Sequence, residues 1–179
     1  LNHPTYKTEP FDLKPGNLAF FFESSGERTI VKIIAYTPVK KFKGRTVYNL
    51  GFGDLDDQTG QILDDVNSNN GDVYTVFNTV LHTVPQFFKE FPDAVIMVGG
   101  SDNHDAFKED CMANCRKHCT TDCKNFQRRI RTYRGFVEKY FDELCKDYIF
   151  FGRMKDDGDV VVQYSKGHKY DEILVYKKK

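Results

Sequence analysis

Between Asn69 and Ser101 the chain reads as a turn, a long helix with one apolar stripe, and a short apolar strand. Few folds accommodate that order of signals. From Asp72 onward apolar residues fall at Val73, Val76, Phe77, Val80, Leu81, Val84, Phe87, Phe88 and Phe91, the i, i+3, i+4, i+7 spacing of a helix with one buried face. Asn70-Gly71 signals a turn, and Asp72 is placed to cap the helix by accepting from the free N–H groups of its first turn. Phe91-Pro92-Asp93 ends it, because a residue before proline is pushed out of the α region. Pro85 removes one backbone donor and predicts a kink near Leu81 rather than a break, since Phe87, Phe88 and Phe91 continue the stripe. Ala94 to Val98 is a short apolar run that stops at Gly99-Gly100-Ser101, as a buried strand does.

The rest of the chain supplies a sheet for this helix. Leu1 to Asn17 carries three prolines and little periodicity, so it reads as an arm over the surface. Leu18 to Glu23 and Arg28 to Tyr36 read as two strands split by a Gly-containing turn, a hairpin. Pro38 to Gly44 is basic and turn-like, and Thr46 to Phe52 is a third strand. Later, Phe126, Ile130, Tyr133, Val137, Phe141 and Leu144 mark a core-facing helix, in which Gly135 signals a kink or close packing. Tyr148 to Met154, Val160 to Tyr164 and Asp171 to Tyr176 read as closing strands, the first two joined by a turn at Asp156 to Asp159. The expected fold is α+β, one domain over 1–179. It is an antiparallel or mixed β-sheet of five to seven strands with two main helices packed on it and a Cys-rich helical insertion over 104–128.

Lys+Arg and Asp+Glu balance at 26 each in 179 residues, so no global field argues for nucleic acid, a membrane or an acidic partner. No window approaches the run of about 18 apolar residues that spans a bilayer, and the first residues lack the layout of a signal peptide. The expectation is a cytoplasmic protein with no membrane partner, in which five cysteines are reduced thiols or metal ligands rather than a disulfide framework. An acidic loop from Gly53 to Asp65 places Asp54, Asp56 and Gln58 at alternating positions. Counted from Asp54, however, the glycine falls one place late for a calcium-binding loop and no helix precedes it. A solvated acidic hairpin or connector is the better reading.

Cysteines lie at 111, 115, 119 and 123, with His104 and His118 nearby. Spacing of four drifts by about 40° per step on a helix, so four in a row spread over about 120°. One straight helix can hold two of them on a metal. A helical hairpin broken near Thr120-Thr121 would bring Cys111 and Cys115 against Cys119 and Cys123. Those four are the candidate metal ligands, zinc ahead of an iron–sulfur cluster, set against a reading as packed or exposed thiols.

The motifs Tyr48-Asn49-Leu50-Gly51-Phe52-Gly53-Asp54, Ser68-Asn69-Asn70-Gly71-Asp72, Thr79-Val80, Phe91-Pro92-Asp93-Ala94 and Gly100-Ser101 now stand in order. With Arg129-Ile130-Arg131-Thr132-Tyr133 as an Arg-x-Arg-x-Tyr, the set resembles a family of small bacterial proteins of unknown function, over roughly Ala19 to Leu144. In that family the Arg-x-Arg-x-Tyr follows the Gly-Ser closely, whereas here about 25 residues, His104 to Arg128, intervene. The cysteine cluster therefore reads as an insertion peculiar to this branch. The resemblance implies a fold and carries no established activity.

Gly99-Gly100-Ser101 lets the backbone approach a ligand beyond a strand's carboxyl end. Arg129 and Tyr133 share one helix face and Arg131 points to another. Arginines beside free backbone amides suit phosphate, because the guanidinium fork pairs bidentately with oxyanions. The candidate ligand-binding set is Asn70, Asp72, Gly100, Ser101, Arg129, Arg131 and Tyr133. No nucleophile elbow, Walker loop, His-Glu-x-x-His or dinucleotide-binding glycine pattern is present in the sequence, and Ser101, His82 and Asp72 make a triple of the kind any chain this size offers. The leading expectation is a binding module for nucleic acid or a phosphate-bearing ligand, through the basic stretch Lys124 to Arg134. The alternatives are a toxin-like nuclease or effector of a toxin–antitoxin type system, or a protein-interaction partner such as an antitoxin or immunity protein.

Overall fold

The computed structural model describes residues 3–11, 14–56, 58–59, 62–63, 70–100, 102, 105–113, 119–120, 123–155 and 160–179. The chain is α+β. It divides into two compact units, Leu1–Ile96 and Met97–Lys179. In the first, strands β1 (Glu9–Phe11), β2 (Leu18–Ser24), β3 (Ile30–Phe42) and β4 (Arg45–Leu55) pair in that order, all antiparallel, and β5 (Ile62–Leu63) folds back on β4. Helix α1 (Val73–Glu90) follows, and β6 (Val95–Gly99) runs through the point of division. Nine strands occur among the described residues rather than five to seven. The two extra ones, β1 and β5, are too short to show a period.

Directly opposed residues on paired strands share one face of a sheet. Phe22, Lys32 and Asp54 are opposed, as are Phe20, Ile34 and Phe52, and Leu18, Tyr36 and Leu50. Helix α1 seats on this face. Phe77 meets Phe52 edge-on at 5.5 Å, Phe87 stacks on Tyr36 at 4.5 Å, and the Tyr36 and Thr83 hydroxyls lie 2.8 Å apart, buried. The helix runs through Pro85 unbroken. Its buried face is wider than its apolar stripe: Val73 is 51% exposed, whereas Asn78, Thr79 and Thr83 are buried. The reason is the arm ahead of β1. There the Tyr6 amide donates to Thr79 Oγ1 at 2.9 Å, and the Asn78 amide reaches the Pro4 carbonyl at 3.5 Å.

The β3–β4 hairpin is longer than its sequence suggests. Lys43 and Gly44 both have positive φ, 48° and 77°, the two-residue turn whose twist matches the strands on either side. The ladder therefore runs to Phe42 and resumes at Arg45, so most of Pro38 to Gly44 is strand. Pro38 has no N–H for the ladder, and the register shift between Pro38 and Lys40 absorbs that loss as a bulge at Val39.

Inside this face lies an ion pair. Lys32 Nζ donates to Asp54 Oδ1 across directly opposed positions of β3 and β4, and both residues are only 6% exposed. With Asp54 committed here, the acidic loop lacks its first calcium ligand. Asp56 instead accepts from the Gln58 and Thr59 amides, which holds its carboxyl below the usual range.

In the second unit, β7 (Tyr148–Met154) pairs antiparallel with both β8 (Val160–Gln163) and β9 (Glu172–Lys177). Helix α2 (Asp105–Ala113) buries no residue completely, and α3 (Arg128–Leu144) packs Phe141 against Phe150 at 5.6 Å and Tyr164 at 5.3 Å. Burial, then the Glu138 carboxylate, pushes the Tyr164 phenol up. Gly152 is required where it stands, because a Cβ there would collide with the Tyr170 ring. Gly135 is different: it is exposed in mid-helix and a Cβ there meets nothing within 4 Å. It is therefore not a packing glycine. The turn read at Asp156 to Asp159 lies outside the described residues. Among those residues no helix is long and apolar enough to cross a membrane.

Two stability predictions follow from this packing. Replacing one ion-pair partner, Lys32→Met or Asp54→Leu, leaves the other charge buried and costs about 3–5 kcal/mol, whereas the double replacement recovers most of that. Denaturant titration of the three variants measures it, and equal losses in the single and double variants would refute the pairing. Gly135→Ala removes a helix-weakening glycine from open space and raises stability by about 0.5–1 kcal/mol. It is read as a rise in Tm.

Candidate functional site

The candidate residues fall in both units. In the first, Asp72 stands at the N-cap position of α1, and its carbonyl accepts from the Val76 amide at 3.0 Å. Its carboxylate makes no capping bond. The backbone at φ −101°, ψ 19° lacks the extended geometry a side-chain cap needs, and Oδ2 accepts instead from Ser24 Oγ at 2.6 Å and Tyr6 Oη at 2.8 Å. An ionised acceptor shared by two hydroxyls is stronger than a neutral one. Burial and the Asp72 carboxylate together push the Tyr6 phenol up. The Asn70 amide donates to Ser24 Oγ and to the Arg28 carbonyl, both at 3.0 Å. The Tyr6 ring lies on Phe22 at 5.5 Å. Asn70 and Asp72 thus clasp the arm, the β2–β3 turn and the start of α1 together. Ser24, at the centre, is fully buried.

In the second unit, Gly100 is buried against the start of α3, where a Cβ would collide with Asp102 Oδ1 and crowd the Ile130 amide. The close approach expected at this glycine is made by the chain's own carboxylate. Asp102 Oδ2 accepts from the Arg129 amide at 2.9 Å and its carbonyl accepts from the Gln127 amide at 2.9 Å, so Asp102 occupies the positive end of the helix. Gln127 itself turns through φ 54° to enter α3. Arg131 is exposed and folds back, donating to the carbonyls of Lys124, Phe126 and Gln127 at 3.0–3.3 Å. Arg129 and Tyr133 are half-buried on the same side of α3, and Arg128 and Thr132 are exposed. Ser101 lies outside the described residues.

Of the four candidate metal ligands, Cys115 lies outside the described residues, as do His104 and His118. Cys111, on α2, accepts from the Asn125 side-chain amide at 3.3 Å, and Cys119 accepts from the Lys124 backbone amide at 3.3 Å. Cys123 is buried, and all three are free thiols. Among the described residues no group of three His, Cys, Asp or Glu is placed to hold a metal. The fifth cysteine, Cys145, sits at the end of α3, where burial pushes its thiol up and away from reactivity.

Two features escape a reading by motif. One is the Lys32–Asp54 pair, whose only trace in sequence is a lysine inside Ile30-Val31-Lys32-Ile33-Ile34. The other is a cleft beside the tip of the β3–β4 hairpin, lined by Arg45, Tyr48, Glu90 and Asp93 among others. Its signal, a run of cations from Lys40 to Arg45, was visible but read as a loop.

Comparison with known proteins gives one match. No curated protein and no solved structure matches the chain. A family of unknown function, DUF6934, matches residues 2–106. That range holds the arm, the five strands and helix of the first unit, and the Asn70–Asp72 clasp, and it ends before Arg129. By this match, over more than half of its length, the chain belongs to the DUF6934 family.

Proposed function

We propose that the protein is a binding module for a phosphate-bearing ligand, nucleic acid foremost, held by the basic first half of α3. One observation carries this reading. Lys124, Arg128, Arg129, Arg131 and Arg134 fall within 124–137, a stretch with no carboxylate. The first turn of α3 contains no acidic residue, although a helix N-terminus favours negative charge and disfavours arginine. Asp102 offsets part of that positive potential, and an anionic ligand offsets the rest. Arg131, held by three carbonyls, stiffens the turn from Lys124 to Gln127 and presents its charge at the surface. Fixed arginines lose little freedom on meeting a phosphate.

Such contacts release counterions. Affinity for a labelled single-stranded oligonucleotide should therefore fall with salt, with a log–log slope of about −0.7 per phosphate contact. Arg128→Ala should lower both the affinity and the slope, by about one contact, without changing Tm. Absence of binding at low salt, or a slope indifferent to Arg128, would overturn the reading.

A second reading concerns Cys111, Cys115, Cys119 and Cys123 as zinc ligands. It is supported by the N–H donors on the Cys111 and Cys119 sulfurs, because metal-bound thiolates are oriented by such second-layer hydrogen bonds. Elemental analysis after dialysis should find about one zinc per chain, with Cys119→Ser lowering its retention. A metal-free protein that also fails to take up added zinc would sink it.

A further inference from the structure

We infer that the cleft at the C-terminal end of α1 is a nucleobase subsite, taking an amine-bearing base of a nucleotide whose phosphate lies on the β3–β4 hairpin. This deepens the reading of a phosphate-bearing ligand and rests on it, but it uses other residues. The cleft has a volume of about 330 Å³, at the small end of ligand sites, and so suits one ring system rather than a whole nucleotide.

Its floor is aromatic. Phe91 is half-buried and rests one face on Tyr48, with ring centroids 4.8 Å apart and planes within 29°, the kind of platform on which a base stacks. Tyr48 is 7% exposed, lines the cleft, and its hydroxyl makes no hydrogen bond among the described residues. A buried hydroxyl without a partner is costly, and a base edge supplies one. Burial alone pushes this phenol up, so it stays protonated and can donate.

One wall is acidic and the other basic. Glu90 is the last residue of α1, and Asp93 follows three residues later, both exposed. Carboxylates at the negative end of a helix are electrostatically opposed, and they call for N–H donors. Lys89, in the same turn, does not line the cleft. An exocyclic amine of cytosine, adenine or guanine provides such donors, and a carboxylate accepts from them. Opposite stand Arg45 and Thr46, with Lys41 Nζ donating to Thr46 Oγ1 at 2.8 Å. Lys40, Lys41, Lys43 and Arg45 make the hairpin tip cationic, with no carboxylate between Glu27 and Asp54 in sequence. A cationic peptide side chain would suit Glu90 and Asp93 but meet these four charges. A nucleotide satisfies both walls.

The test is amide-resolved NMR titration of the full chain with CMP, UMP, cytidine and methylguanidinium, alongside the labelled oligonucleotide. CMP should shift the Thr46, Phe91 and Asp93 amides and bind roughly tenfold tighter than UMP, which lacks the amine. Glu90→Gln should erase that difference with Tm unchanged. Arg45→Gln should weaken CMP and UMP alike and leave cytidine unaffected. Equal binding of CMP and UMP, no shifts at the cleft, or preference for methylguanidinium would each overturn the inference. The two readings fail separately. Oligonucleotide binding lost in Arg128→Ala, with no CMP shifts at the cleft, keeps the α3 reading and rejects the subsite. CMP shifts with oligonucleotide binding indifferent to Arg128 do the reverse.

Discussion

The ion pair between Lys32 and Asp54 sets the register on which the first unit depends. The two residues oppose each other across β3 and β4, both almost fully buried. A slip of one residue would send every side chain of one strand to the other face and leave two charges buried without each other. That alternative is far more costly than the loss of any hydrophobic contact. With the register held, Tyr36 and Phe52 are delivered beneath Thr83, Phe87 and Phe77 of α1. The same register carries the hairpin outward to the Lys43-Gly44 turn and places Lys41 beside Thr46. A buried ion pair contributes little net stability against an apolar alternative, and it contributes more as a device that specifies one pairing.

Carboxylates recur as internal fasteners in both units. Asp72 holds two hydroxyls that come from 66 and 48 residues away in sequence. Asp102 holds the first amides of α3 while Gly100 gives it room. Acids committed to structure cannot neutralise the surface cations, and the chain's overall neutrality conceals this. Formal charge is zero, yet the stretches 28–53 and 124–137 contain cations and no acid. Local fields of one sign, rather than net charge, decide what a surface attracts.

The fold was largely legible where a period could run. The stripe of α1, the stripe of α3 and seven strands each span enough residues to reveal spacing, whereas β1 and β5 do not. Pro38 was read as a stop, and the bulge at Val39 shows how a hairpin passes a proline. The site was less legible for a physical reason. Asp72 was recognisable as the N-cap residue, but the use of its carboxylate depended on Tyr6 and Ser24, which no local pattern connects to it. Gly100 announced a close backbone approach correctly, while the group that approaches, Asp102, could equally have been a ligand. The cleft at Tyr48 joins a hairpin to a helix end more than forty residues on, a juxtaposition that only the sheet register creates.

The most direct test of a phosphate-bearing ligand is the ultraviolet spectrum of the protein as purified, taken before and after a high-salt wash. The chain has ten tyrosines and no tryptophan, so its own near-ultraviolet absorbance is weak and bound nucleic acid would dominate it. The account predicts a nucleic-acid spectrum at low salt that the wash converts to that of tyrosine alone, because phosphate contacts are lost as counterions return. A plain tyrosine spectrum at low salt, unchanged after adding oligonucleotide and removing the unbound excess, would contradict it.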